Sequence, residues 1–123
     1  MIQKIALKKG FDSIQEYWSP KIAGELNSQY VKLAKLKGEF VWHKHDDEDE
    51  MFLVIEGHLE ILLRDKTIVL EAGEFVVIPK GVEHKPLANE EVKVLLFEPK
   101  STLNTGDTKS DLTKDHLDWI DNT

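Results

Sequence analysis

Two histidines one residue apart, an acid five residues on and a third histidine well downstream are the side chains of this sequence best suited to chemistry. The first three lie in "HKHDDEDE", His43 to Glu50. On an extended strand alternate side chains share a face, so His43 and His45 point one way while Trp42 and Lys44 point the other. On a following strand the same alternation puts Glu50 on the face of Phe52 and Val54, and a carboxylate joins two imidazoles. Asp46, Asp47 and Glu48 read as the hydrated turn between the strands, and Asp49 has the wrong parity. Taken alone, the pattern also fits two surface imidazoles beside an acidic loop. The stretch "GEFVVIPKGVEHKPLAN", residues 73 to 89, adds the third part: a strand, a tight turn at Pro79 and Gly81, and His84, which that turn can fold back toward the other two.

The elements that must position these residues are mostly strands. From Gln29 onward, short apolar runs broken by glycine, proline and acid-rich turns predict strands at about 29–37, 39–45, 50–56, 58–64, 67–71, 74–79 and 91–98. Turns are expected at Gly38, Glu56-Gly57, Asp65-Lys66 and Ala72-Gly73. Such short connections imply antiparallel hairpins in an all-β barrel or two-sheet roll. In "YVKLAKLK" the apolar parity slips between Leu33 and Ala34, which predicts a β-bulge there. In "EFVVIP" and "KVLLFEP" the apolar residues are consecutive, so both faces of those strands should be buried. Before the strands, Phe11, Ile14, Tyr17 and Trp18 share a helical face, with Asp12 or Ser13 as cap and Pro20 as stop. The expected organisation is an N-terminal helix and extension over 1–28, a barrel over 29–99 and a polar tail over 100–123. That tail, with a helical stripe of Leu112, His116, Trp119 and Ile120, should pack outside or lie loosely.

Two spaced patterns make the sequence resemble the cupin superfamily. The first is Gly38, four residues, His43, one residue, His45, four residues, Glu50, six residues, Gly57; the second is Gly73, five residues, Pro79, one residue, Gly81, two residues, His84. The first glycine is one residue closer to the histidines than in the common pattern, and Asn89 falls one residue beyond the usual closing asparagine. The resemblance implies a double-stranded β-helix, or jelly-roll barrel, in which His43, His45, Glu50 and His84 hold one divalent metal. Three imidazoles and a carboxylate suit iron, manganese, nickel, copper, cobalt or zinc and disfavour calcium and magnesium. Phe52 and Val54 would then line the pocket. "GEFVWHKHDDEDEMF", "PKGVEHKP" and "EPKSTLNTGD" further resemble small bacterial cupins of the mannose-6-phosphate isomerase-like group, which implies metal-assisted aldose–ketose interconversion.

Composition excludes other classes. The chain has 123 residues, enough for one core, and no cysteine, so neither disulfides nor thiolate ligands are possible. A net charge of −7, without a cluster of bases, argues against nucleic acid, and no apolar run approaches a membrane span. The start lacks the pattern of a secretory signal, so a cytoplasmic location is expected. Arg64 is the only arginine and sits in a hairpin turn, so no basic cluster for a phosphate is visible. His58 and His116 read as solvent-facing, Trp18 and Trp119 as anchors for the terminal segments, and Lys80 as a turn lysine beside the site. No second ionisable group is apparent in the pocket. Two functions remain: a metal-dependent isomerase- or oxygenase-type enzyme on a small polar substrate, or a binding protein in which the metal orients a ligand or stabilises the barrel. The apolar strands predict a homodimer.

Overall fold

A computed structural model of the chain describes residues 2–121. The fold is all-β apart from one short helix: α1 (Leu7–Asp12), then β1 (Lys21–Leu26), β2 (Gln29–Glu39), β3 (Glu50–Glu56), β4 (His58–Leu62), β5 (Thr67–Glu71), β6 (Phe75–Ile78) and β7 (Lys85–Pro99). All ladders are antiparallel, and β7 is the spine. It pairs with β2 along most of its length, with β3 through its second half and with β4 through its first. One seven-stranded sheet therefore runs β1-β2-β7-β3-β6 with a branch from β7 through β4 to β5, which rolls the chain into the double-stranded β-helix.

Alternation explains what each strand buries. Glu50, Phe52 and Val54 of β3 face inward, as do Val92, Val94 and Leu96 of β7 and Ala34 and Leu36 of β2. Their neighbours Leu33 and Val31 face out, where Phe11, Ile14 and Ala23 cover them. Burying a side chain such as Leu33 or Ile61 is worth roughly 1.5–3 kcal/mol, so both layers add to stability.

Several expectations are corrected. The helix ends where it was expected to begin: Ser13 bonds back to the Gly10 carbonyl through its hydroxyl, at 2.7 Å, and so closes α1 rather than opening a helix. Trp18 has φ 59, a left-handed conformation that no helix contains. Residues 21–26, expected to be extension, form β1. No bulge separates Leu33 from Ala34; the irregularity lies opposite, between Ile22 and Gly24 of β1. Gly38, with φ 85, is not a turn between strands but a shift of register within β2, which continues to Glu39. Residues 40–45 form no strand, and β7 begins at Lys85 rather than near 91. The outer face of β6 is open, with Phe75 62% and Val77 49% exposed.

Among the described residues the tail holds no helix. Residues 118–120 run alongside β1, where Ile22 N–H donates to the Asp118 carbonyl and Ile120 N–H donates to the Ile22 carbonyl. Thr102 and Thr105 are buried.

Candidate metal centre

Glu50 opens β3 and takes its place from the ladder, paired with Ile78 of β6. The histidines are held differently. After β2 ends, residues 40–45 cross the barrel mouth against residues 81–86 by sparse backbone bonds: Phe40 N–H to the Pro86 carbonyl, a reciprocal His43–His84 pair at 3.1 and 2.9 Å, and Gly81 N–H to the His45 carbonyl. The expected parity survives over residues 42–45 without a regular strand, because His43 and His45 are buried and Trp42 and Lys44 are only half so; Phe40 is buried against that alternation.

The C-terminal tail completes this segment. Lys44 N–H donates to the Asp107 carboxylate at 3.1 Å, Asp107 N–H donates to the Lys44 carbonyl, and the Thr108 hydroxyl donates to the Trp42 carbonyl. Gly106, at φ 56, permits this approach; a β-carbon there would collide with the Lys44 carbonyl and come within 3.3 Å of the His43 ring. The acids of the turn serve as local clasps. Asp49 accepts from Lys80 N–H and Glu48 from the Ser101 hydroxyl.

His43, His45, Glu50 and His84 each bring one ligand atom into a group within 4.8 Å of one another, and all four are buried. His43 and His84 donate Nδ1–H to the carbonyls of Val41 and Val82, at 2.8 and 2.9 Å. That fixes their tautomers and leaves each Nε2 as a bare lone pair. His84 Nε2 then faces Glu50 Oε1 at 3.2 Å, acceptor against acceptor, a contact that a shared proton or a cation must relieve. Neither ring nitrogen of His45 has a hydrogen-bond partner, although its Nε2 lies 3.3 Å from Glu50 Oε1. Buried polar atoms are rarely left orphaned. The residues therefore fit a metal: three nitrogens and one oxygen, all buried, with the His43 and His84 rings oriented by carbonyls.

The electrostatics agree. Burial, aided by the neighbouring His84, pushes His43 down to about 4, so its ring is neutral near neutrality and ready to ligate. Burial also opposes charge on His45, but the Glu50 carboxylate outweighs it and raises that ring. For Glu50 burial pushes up, yet the imidazoles of His45 and His84 win and hold it well below the usual carboxylate range.

The centre lies on a cavity. Its apolar wall includes Trp18, Leu36, Phe40, Phe52 and Leu96; its polar groups are Lys32, His43, Glu50, Glu98 and Asn104. Trp18 stacks on Phe40 at 4.7 Å, and its indole N–H donates to the Lys37 carbonyl, which holds the left-handed backbone in place. Phe52 lines the cavity; Val54, fully buried, packs in the core and is not part of the wall. Asn104 comes from the tail, which thus reaches inside the barrel mouth.

Lys32 and Glu98 are the residues that sequence reasoning missed. They oppose each other at 3.5 Å with side chains only 3% and 2% exposed. Burial, then the charge of Glu50, raises Glu98 well above its ordinary value against the pull of Lys32. The signal was strand parity: Lys32 shares the face of Ala34 and Leu36, and Glu98 that of Val94 and Leu96. A bulge at Leu33 and Ala34 would have turned Lys32 outward. The remaining candidates stay outside. Lys80 is exposed, His58 pairs with Glu71 at the surface, His116 is exposed, and Arg64 stacks on Trp42 at 3.8 Å.

A β-helix barrel whose mouth gathers three imidazoles and one carboxylate defines a class of small barrel proteins with a cluster that could hold a metal ion. The chain belongs to the cupin family: residues 29–98 match its Cupin_2 cupin domain. Among curated proteins it is 48% identical over 62 residues to uncharacterized protein YdbB of Bacillus subtilis (strain 168), a match spanning 50% of this chain and 55% of that relative. Among solved structures it resembles a cupin-2 domain containing protein from Shewanella frigidimarina NCIMB 400, with 51% identity, 78% of this chain and 94% of that one covered, and a TM-score of 0.77. It also resembles protein NMB1881 from Neisseria meningitidis, with 30% identity, 80% and 100% covered, and a TM-score of 0.73. Among the described residues no helix is long and apolar enough to cross a membrane.

Proposed function

We propose that this chain is a metal-dependent cupin enzyme acting on a small polar molecule, with His43, His45, Glu50 and His84 as ligands to one divalent transition metal. When bound, such an ion polarises a substrate oxygen or activates dioxygen. The observation that carries an enzyme over a simple binder is the second pair of ionisable groups, Lys32 and Glu98, on the wall of the same cavity. The Glu98 carboxyl, held well above its ordinary value by burial and by Glu50 inside a cavity, is the kind of perturbed group that marks a functional site. Within this reading an isomerase-type proton transfer, as in the mannose-6-phosphate isomerase-like group, is one reaction and an oxygenation the other. The lone arginine, on Trp42 outside the cavity, speaks against a phosphosugar.

Binding without turnover is the second reading, favoured by the apolar majority of the cavity wall. The open face of Phe75 and Val77 on β6 supports a homodimer joined there, and a cytoplasmic setting accords with the absence of cysteine. Elemental analysis of protein from its native host should find about one transition metal per chain. A turnover screen against sugars, sugar phosphates and keto acids then separates the readings. Absence of metal, with no uptake on reconstitution, would sink both.

A further inference from the structure

The cavity beside the histidines holds a charged pair that the ligand set does not use. Lys32 and Glu98 are almost wholly buried, and their heads stand 3.5 Å apart. Charge-assisted N–H···O bonds are typically about 2.7–2.9 Å, so this pair is loose. Each buried ion costs several kcal/mol in lost hydration, which only close geometry recovers, and well-packed apolar residues often serve as well or better. Stability therefore gives no reason for Lys32 on an inward position between apolar neighbours. A polar group converging on an apolar cavity is what a ligand-orienting site has.

The charges favour one kind of ligand. The two carboxylates on the cavity wall, Glu50 and Glu98, match the charge of one divalent ion held by the four ligands and leave the ammonium of Lys32 over. The site thus lacks an anion. The cavity space that a water's centre can reach is about 30 Å³, room for about two waters. A planar carboxylate fits that space and a single ammonium; a phosphate draws clustered bases, and no arginine faces the cavity.

We propose that Lys32 is the specificity-determining residue of the cavity and selects a small carboxylate-bearing ligand. The inference rests on the metal-site reading above and names the substrate class of that site.

The test is a binding titration of zinc-loaded protein with pyruvate and with its neutral amide, metal content being measured in the same samples. The natural chain should prefer the carboxylate by at least about ten-fold. In Lys32→Met, a near-isosteric change suited to the apolar wall, the carboxylate should weaken by about ten-fold or more while the amide changes by less than about two-fold and zinc stays near one per chain. Equal binding of acid and amide by the natural chain, or an unchanged carboxylate affinity in the zinc-loaded variant, overturns the role of Lys32. Failure to take up zinc is a different result and overturns the metal-site reading with it. Should the variant not fold, the 15N resonance of the Lys32 ammonium in the natural chain carries the test. It should shift with pyruvate and not with the amide, and an unmoved resonance overturns the proposal.

Discussion

The four candidate ligands reach one point by two kinds of support. Glu50 stands at the head of β3, inside a continuous ladder, so its place follows from the pairing of β3 with β6 and β7. His43 and His45 stand on an irregular crossing, tied to residues 81–86 by a few backbone bonds and to the C-terminal tail by Asp107 and Thr108. A ladder fixes a side chain cooperatively, and a crossing fixes it one contact at a time. Perturbing the sheet should therefore cost stability first, whereas perturbing the tail should reach the metal centre first.

The largest effect comes from the ligands themselves. His84→Ala or His45→Ala should reduce metal from about one per chain to near zero, read by elemental analysis after reconstitution, since neither the ladder nor the tail supplies a replacement nitrogen. Next is Gly106→Ala. Its β-carbon would strike the Lys44 carbonyl and crowd His43, so the tail must lift. A loss of roughly 2–4 kcal/mol in denaturant unfolding is expected, with metal affinity lowered roughly 10–100-fold, as for other groups that orient ligands. Unfolding and affinity both unchanged would show that the tail does not set the crossing.

Acid should separate the supports further. His43 has a folded value of about 4 against an ordinary 6.5, so between those pH values the unfolded chain binds a proton that the folded chain refuses. The metal-free protein should thus lose stability as pH falls from 6.5 toward 4 and lose no more on this account below it. For a ring only 3% exposed the contribution is roughly 3 kcal/mol over that window. In His43→Gln that part of the slope should vanish; urea midpoints across the window, compared between the two chains, would reveal an unchanged slope. The comparison isolates His43 from His45 and Glu98, whose values are raised and act in the opposite sense.

The same contrast governs how much was visible in the sequence. The ligand set could be seen because parity near the two motifs is local: a glycine turn and alternate residues place His43, His45 and Glu50 without knowledge of partners. The barrel was visible for a similar reason, from the rhythm of turns. Lys32 was hidden because Val31, Leu33, Ala34 and Leu36 are all apolar, and only the N-terminal cover of Phe11 and Ile14 reveals that both faces of β2 are buried. Trp18, in a left-handed conformation set by contacts with Lys35 and Lys37, leaves no mark in a helical periodicity. The tail was hidden because polar residues that bond to a distant backbone look like polar residues in solvent.

The smallest expected effect tests that last point most finely. Asp107→Ala removes the carboxylate that accepts from Lys44 N–H but leaves the Asp107 N–H bond to the Lys44 carbonyl. The lost bond is exposed and water can replace it, so only about 0.5–1.5 kcal/mol should disappear from unfolding. Its consequence for the metal should be out of proportion, because Lys44 lies between the two histidines and its freed backbone lets both rings drift. A fall of several-fold in zinc affinity, by competition with a chelator, is expected. Glu56→Ala serves as the control: it removes an exposed ion pair with Lys93 on the far end of β3, well away from the cluster, and should leave zinc affinity unchanged. Equal effects of the two variants on zinc would mean that ladder and crossing hold the site alike, and the distinction between them would fall.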